Sequence, residues 1–240
     1  MLGSPIVIKR GAKDEAEKPF WISFADLMTA LMVLFLVVMS VSLLAVTRTV
    51  SEANGKREER EKEIGLVLEM LAENIKNCRH AVVRRDRYVI DFGTQATFET
   101  NSHRLSADQA KYLRSCVPEV LAVARHELGK KWIKRIVVEG YADRRGTYLH
   151  NLNLSLQRSQ RVLCVLLAPP GPDERPFTQE ELEQIRDLFL VGGYSFNSAK
   201  ASLEESRRIE LRLEFWGVDE SRVSPDDVPR TDFGSCALGA

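Results

Sequence analysis

The chain has no excess of charge of either sign: 34 Lys and Arg face 34 Asp and Glu. Nucleic-acid binders draw affinity from a basic patch that neutralises phosphates, so direct nucleic-acid binding is not expected. With 9 Pro and 14 Gly it is neither collagen-like nor broadly disordered. Its cysteines, Cys78, Cys116, Cys164 and Cys236, include no Cys-x-x-Cys pair, so zinc and thioredoxin-like signals are missing. His80, His103, His126 and His150 include no close pair that would start a metal site. Gly192-Gly193 is followed by no Lys-Ser/Thr and reads as a turn rather than a phosphate loop. Internal repeats and a nucleophile–base–acid trio are also lacking. Neither enzymatic activity nor a cofactor is expected.

What the chain does have is one long apolar run. From Phe20 to Val46 it reads FWISFADLMTALMVLFLVVMSVSLLAV, with Asp26 as the one ionisable side chain. A helix of about 20 apolar residues spans a bilayer, whereas a signal peptide has an apolar core of only about 7–15. No small-x-small cleavage site follows. The expectation is an uncleaved, single-pass helix over residues 20–46, with Trp21 as an interfacial anchor. Lys and Arg flank it evenly, so charge counting does not orient it. A short tail over residues 1–19 points to a cytoplasmic N-terminus, with the large C-terminal part outside the cytoplasm.

Downstream, Lys56–Glu63 (KREEREKE) has opposite charges at i,i+3 and i,i+4 and predicts a solvated helix. Leu66, Met70, Leu71 and Ile75 continue the helical spacing, giving a linker helix over residues 47–77. Residues 81–93 turn to strand formers around the charged stretch Arg84–Arg87. Ser106 caps a helix running towards Leu128, with a kink expected at Pro118. Residues 133–140 form a short buried strand, and Asn151 or Ser155 opens an amphipathic helix that the APPGP turn stops. Thr178 and Glu181 make a capping box, and strands follow over 188–193 and 208–216. This order predicts an α+β domain over residues 78–217, a mixed sheet with helices on one side, then a loose tail over 218–240. An extracytoplasmic domain can hold a disulfide. Cys78 and Cys116 are the candidate pair; four unpaired thiols, with Cys164 in a core, is the alternative.

An ionisable residue in a membrane helix costs about 2.5–3.5 kcal/mol on insertion scales, so Asp26 needs a reason. It lies ~9 Å into the run by helical rise. Ser23, Thr29, Ala30, Val33 and Ser40 share its side, a small and partly polar stripe suited to packing around an aqueous path. A carboxyl group in a low-dielectric segment can trade its charge for a proton as access switches sides. The competing reading is an Asp26 that pairs with a basic residue of a partner helix.

The run Trp21–Ser40, with its Asp-x-Met-Thr-Ala core, resembles the membrane helix of flagellar stator B subunits, the MotB family. That resemblance implies that Asp26 carries the ion, with Ser23, Thr29 and Ala30 lining its path. It also implies a homodimer inside a pentameric ring of a MotA- or ZorA-like A subunit, and a charged segment after the span able to gate ion flow. Gly140-Tyr141-Ala142-Asp143-x-x-Gly146 followed by Asn151-Leu152-Asn153-Leu154-Ser155-x-x-Arg158-Ser159 is similar to the OmpA-like peptidoglycan-binding signature. Phe98–Ser102 and Arg207–Leu211 fit the same family, and Tyr141, Ala142 and Ser159 depart from it. The implied fold is an OmpA-like domain, and the implied wall-binding residues are Tyr141, Asp143, Asn151, Leu154 and Arg158. Asp143 would take an ammonium and Arg158 a carboxylate, both of which wall stem peptides containing meso-diaminopimelate offer. An internal Asp143–Arg158 salt bridge is the plainer alternative.

The wording of the membrane motif and the short tail and linker look closer to the ZorB subunits of Zorya anti-phage systems than to flagellar MotB. The expectation is an inner-membrane, single-pass stator subunit in contact with lipid and wall, with the C-terminal domain in the periplasm. A flagellar stator and a passive membrane-to-wall tether are the alternatives. The carried ion is H⁺ or Na⁺; few oxygen ligands near Asp26 favour H⁺.

Overall fold

A computed structural model describes residues 17–171, 174–221 and 232–238. Most of the expected N-terminal tail, the last residue of the APPGP turn and much of the C-terminal segment lie outside the described residues. The chain divides into two units, Met1–Arg57 and Glu58–Ala240.

The first unit is the leading part of helix α1 (Glu17–Asn74). Its apolar side chains from Trp21 to Val50 point outward all round the helix and are exposed. A helix apolar on every side needs lipid or other helices around it, and this one is long and apolar enough to cross a bilayer. Several of its hydroxyls bond the preceding turn: Ser40 donates to the Leu36 carbonyl and Thr47 to that of Leu43.

The second unit takes in the rest of α1. Ile64, Val67, Leu68 and Leu71 recur at three- and four-residue steps and are buried, as is Ile75 in the 3-10 turn that follows. Arg60 donates to the Trp216 carbonyl at 2.7 Å, and Trp132 packs with Ile64 and Leu68. Residues 58–77, expected as part of a linker, are therefore structural: their apolar stripe is buried by the domain itself.

Five strands form one mixed sheet in the order β1-β2-β5-β3-β4. Strands β1 (Val82–Arg84) and β2 (Val89–Asp91) make a hairpin, because the charged stretch between them forms a turn with Tyr88 at φ 55°. The sequence had pointed to one strand there. Strand β3 (Ile133–Gly140) runs parallel to β4 (Phe189–Gly193), and β5 (Ile209–Phe215) lies antiparallel between β2 and β3. Ile90, Leu211 and Val138 share one row across three strands and are buried beneath the helices. On the other face Asp91, Glu210 and Glu139 share the next row, also buried. They are met by Lys200 at 2.8 Å, Arg208 at 2.7 Å and Arg212 at 2.5 Å respectively. Buried charges persist only with such partners.

Helix α2 (Ala107–Arg125) starts in a capping box between Ser106 and Gln109. It ends before Leu128, because His126 turns extended and caps the short α3 (Glu127–Trp132) with its ring nitrogen. Helix α4 (Tyr148–Leu167) begins after Thr147, a turn earlier than expected, and α5 (Gln179–Leu188) uses the predicted Thr178–Glu181 box. A further short helix, α6 (Leu203–Ser206), precedes β5. Cys78 and Cys116 are joined as a disulfide, and Cys164 is joined to Cys236. The second bond, with a hydrogen bond from Arg161 to the Leu238 carbonyl, fastens the described end of the chain to α4, where a loose tail was expected.

Helix α4 crosses the sheet where Gly140 and Gly193 stand opposite each other. A Cβ on Gly140 would fall 1.9 Å from the Ser155 carbonyl oxygen, and one on Gly193 2.9 Å from the Leu156 nitrogen. Gly193 is thus a strand residue that admits a helix backbone, not the turn the sequence indicated. Gly140→Ala should destabilise the domain by about 3 kcal/mol in chemical denaturation. Gly55→Ala, where nothing lies within 4 Å, should be neutral or slightly stabilising. Equal effects of the two substitutions would contradict this packing.

Candidate functional site

The end of β3 and the start of α4 open a cavity of about 270 Å³ between them, lined by Asp143, Arg145, Asn151, Leu154 and Arg158 and closed on one side by Thr100 and Asn101. It is sized for an amino-acid side chain or end group rather than a drug-sized ligand.

Asp143 is 6% exposed and its carboxylate is fully engaged. Oδ1 accepts from the Arg145 backbone N–H at 3.0 Å and from its Nε at 3.3 Å. Oδ2 accepts from Arg145 Nη2 at 2.8 Å and from Arg207 Nη1 at 3.2 Å. The Arg145 guanidinium holds the carboxyl down to about 2, against the upward push of burial, and the Arg145 N–H and Arg207 add to it.

Arg158 does not pair with Asp143. Fully buried, its guanidinium donates to three backbone carbonyls: Ser102 at 2.9 Å, Tyr141 at 2.7 Å and Glu99 at 3.1 Å. Its plane lies 5.0 Å from the Phe98 ring. Burial, helped by nearby Arg207, lowers its pKa to about 10, so it remains charged at neutral pH. Arg158 thereby clamps the 99–102 segment that forms one cavity wall, and it is itself among the residues that line the cavity. The plainer alternative, an internal Asp143–Arg158 salt bridge, does not form; Asp143 pairs with Arg145 and Arg207 instead.

Asn151, buried in the first turn of α4, donates from Nδ2 to the Arg145 carbonyl at 2.7 Å and fixes the loop that carries Asp143. It is not the helix cap; Thr147 holds that position. Leu154 supplies an apolar wall. Tyr141, whose motif position places it at the ligand edge, is not among the residues that line the cavity. Side chains two apart on an extended chain share a face, so Tyr141 follows Glu139 to the opposite side and donates its hydroxyl to Glu139 at 2.7 Å, under the Arg208 guanidinium. Burial and that carboxylate push its pKa well up. Only its carbonyl, held by Arg158, serves the site.

Thr100, Asn101 and Arg207 belong to the Phe98–Ser102 and Arg207–Leu211 stretches that fit the motif but are not among its implied binding residues, and His150 is weighed in the sequence only as a metal ligand. Arg145 fills an unspecified position of the Asp-x-x-Gly motif, and Arg207 opens the closing Arg207–Leu211 stretch. His150 meets Asn101 at 2.8 Å, with Asn101 at φ 53°.

In the first unit, Asp26, Thr29 and Ala30 line one shallow groove with Val33 and Val37, and Ser23 is not among its lining residues. Thr29 donates its hydroxyl to the backbone carbonyls of Ala25 and Asp26, at 2.7 and 2.9 Å.

The family model described as membrane MotB of the proton-channel complex MotA/MotB matches residues 8–49, which include Asp26. A protein of Escherichia coli O139:H28 (strain E24377A / ETEC), Zorya protein ZorB, is 46% identical over 231 residues, 95% of this chain and 93% of that one. Among solved structures, the cell wall anchor of the T6SS from Pseudomonas aeruginosa is 21% identical with a TM-score of 0.39, covering 62% of this chain and 97% of its own. The periplasmic domain of Helicobacter pylori MotB is 15% identical with a TM-score of 0.37, covering 55% and 75%. With 46% identity along 95% of its length, and with its long apolar helix matched by the membrane MotB family model, the chain belongs to the ZorB family.

Proposed function

We propose that the chain is the peptidoglycan-anchored subunit of an ion-driven rotary motor in the inner membrane, acting in anti-phage defence. Two copies stand inside a pentameric ring of A subunits, protons pass by way of Asp26, and the ring turns against the anchored pair. Anchorage is essential to the mechanism, because a free dimer would spin with its ring. The observation that carries this reading is one chain holding both a lone carboxylate in its spanning segment and a charged, amino-acid-sized cavity in its folded domain.

Each part has a physical rationale. Both disulfides belong to the second unit, and such bonds persist in oxidising compartments, which favours a periplasmic domain and a cytoplasmic N-terminus. The groove at Asp26 offers one side-chain hydroxyl besides the carboxylate, too few oxygens for a sodium site, which favours H⁺. Each proton crossing yields about 2.3 kcal/mol per 100 mV. In the cavity, Asp143 is the counter-ion for the ammonium of a wall stem peptide, and the guanidiniums gathered around it, Arg158 among them, supply the positive field that its carboxylate meets.

Full-length chain in detergent should cosediment with isolated sacculi, and Asp143→Asn should reduce the bound fraction at least tenfold while the domain stays folded. Undiminished binding by Asp143→Asn would remove the cavity from the wall-binding role. Arg158→Ala strips donors from three carbonyls and should instead lower stability by about 3 kcal/mol. The folded-state pKa of Asp143 is depressed from 3.8 to about 2, so its contribution is complete above pH 4 and fades as pH falls through 2. Wall binding should accordingly be level from pH 8 to pH 4.

Asp26→Asn should leave the subunit assembled with its A partner and abolish phage protection in a plating assay, to the level of a strain lacking the gene. Protection at wild-type strength by an assembled Asp26→Asn complex would argue for a passive tether.

A further inference from the structure

Asp143 has no acceptor position left for a ligand. Its two oxygens receive four donors, and three of them belong to Arg145. The Arg145 guanidinium also reaches the far wall of the cavity, where Nη2 donates to Thr100 Oγ1 at 3.1 Å. It therefore lies across the place where an incoming ammonium would have to sit.

The backbone beneath it is fixed. The Arg145 N–H is held by Asp143, its carbonyl by Asn151, and the next residue, Gly146, takes φ 92°. The side chain is not fixed in the same way: it is 53% exposed, against 13% for Arg207 and full burial for Arg158. Of the three guanidiniums around the cavity, Arg145 alone can swing aside without dismantling a wall.

We propose that Arg145 is the specificity-determining residue of this cavity, selecting an amino-acid end that carries both a free ammonium and a free carboxylate. The inference rests on the reading of the cavity as a wall-peptide site. When a zwitterionic end enters, its ammonium replaces the guanidinium on Asp143 and its carboxylate takes up the guanidinium that was displaced. One charge-assisted pair is exchanged for two, at little net cost. When the carboxylate is amidated, the ammonium must still evict Arg145, and the guanidinium gains no anion in return. The amidated ligand thus bears the whole loss of the Asp143–Arg145 pair. Because that pair is half solvent-exposed, the loss is modest, on the order of tenfold in affinity.

The test is calorimetric titration of the full-length chain in detergent with two probes. One is a stem tripeptide ending in diaminopimelate with both carboxylates free; the other is the same tripeptide with the carboxylate beside the free ammonium amidated. Wild type should prefer the free acid about tenfold. In Arg145→Ala the preference should shrink to twofold or less, chiefly because the amidated probe binds more tightly once its competitor is gone. A preference unchanged in Arg145→Ala, or equal weakening of both probes, would overturn the role given to Arg145 while leaving the cavity as a wall site. Failure of wild type to bind either probe, or binding that Asp143→Asn does not diminish, would overturn the wall-peptide reading and this inference with it. Arg145→Lys, which keeps the charge but loses the fork, should retain part of the preference; full loss there with an unaltered Arg145→Ala would also contradict the proposal.

Discussion

Helix α4 rests on the sheet by its backbone, with the Ser155 carbonyl over Gly140 and the Leu156 N–H over Gly193. No side chain larger than hydrogen fits between them. This contact sets the depth at which Asn151, Leu154 and Arg158 enter the domain, because all three project from the same stretch of helix. One additional methyl group at Gly140 would lift the helix start and separate Arg158 from the three carbonyls it holds. The cavity is thus a consequence of two glycines in register on neighbouring parallel strands, and its charged residues act within a frame that backbone contact defines.

Within that frame three arginines have different tasks. Arg158 is buried and gives order: it ties the 99–102 segment to the end of β3 and pays its desolvation with three carbonyls and the Phe98 face. Arg207 joins the Phe98 carbonyl to Asp143 and couples the cavity to the strand that follows it. Arg145 is the outer group, bonded to Asp143 and open to solvent. A chain balanced between 34 basic and 34 acidic residues still concentrates three guanidiniums around one carboxylate here, a local positive field that suits a ligand bringing a carboxylate.

Much of this was legible in the sequence, for reasons that differ by element. The spanning helix declares itself by composition, since nothing else accounts for so long an apolar run with one acid. Strand β3, the helix cap at Ser106 and the capping box at Thr178 are local signals and lie where the sequence places them. Asp143, Asn151, Leu154 and Arg158 come together as their motif spacing implies. What the sequence did not reveal depends on side-chain direction and on long-range contact. Tyr141 turns away from the cavity because strand alternation fixes its side, and motif position carries no such information. Arg145 occupies a position the motif leaves open, and only the fold brings its side chain back onto Asp143. Residues 58–77 resemble a charged linker along the chain, and their buried stripe becomes evident only against Trp132 and Trp216. Cys164 and Cys236 lie 72 residues apart, a separation from which no pairing can be read.

The proposed motor joins two demands that neither unit meets by itself: a carboxyl group in the membrane able to take and release a cation, and a grip on something that does not move. The groove around Asp26 holds little else that is polar, so the proposed ion pathway depends on that one carboxyl group. The most direct test is the cation current through liposomes containing the chain assembled with its A subunit, under an imposed membrane potential. The account predicts a proton current that disappears in Asp26→Asn complexes of unchanged composition, and an equal current in wild type and Asp26→Asn would contradict it.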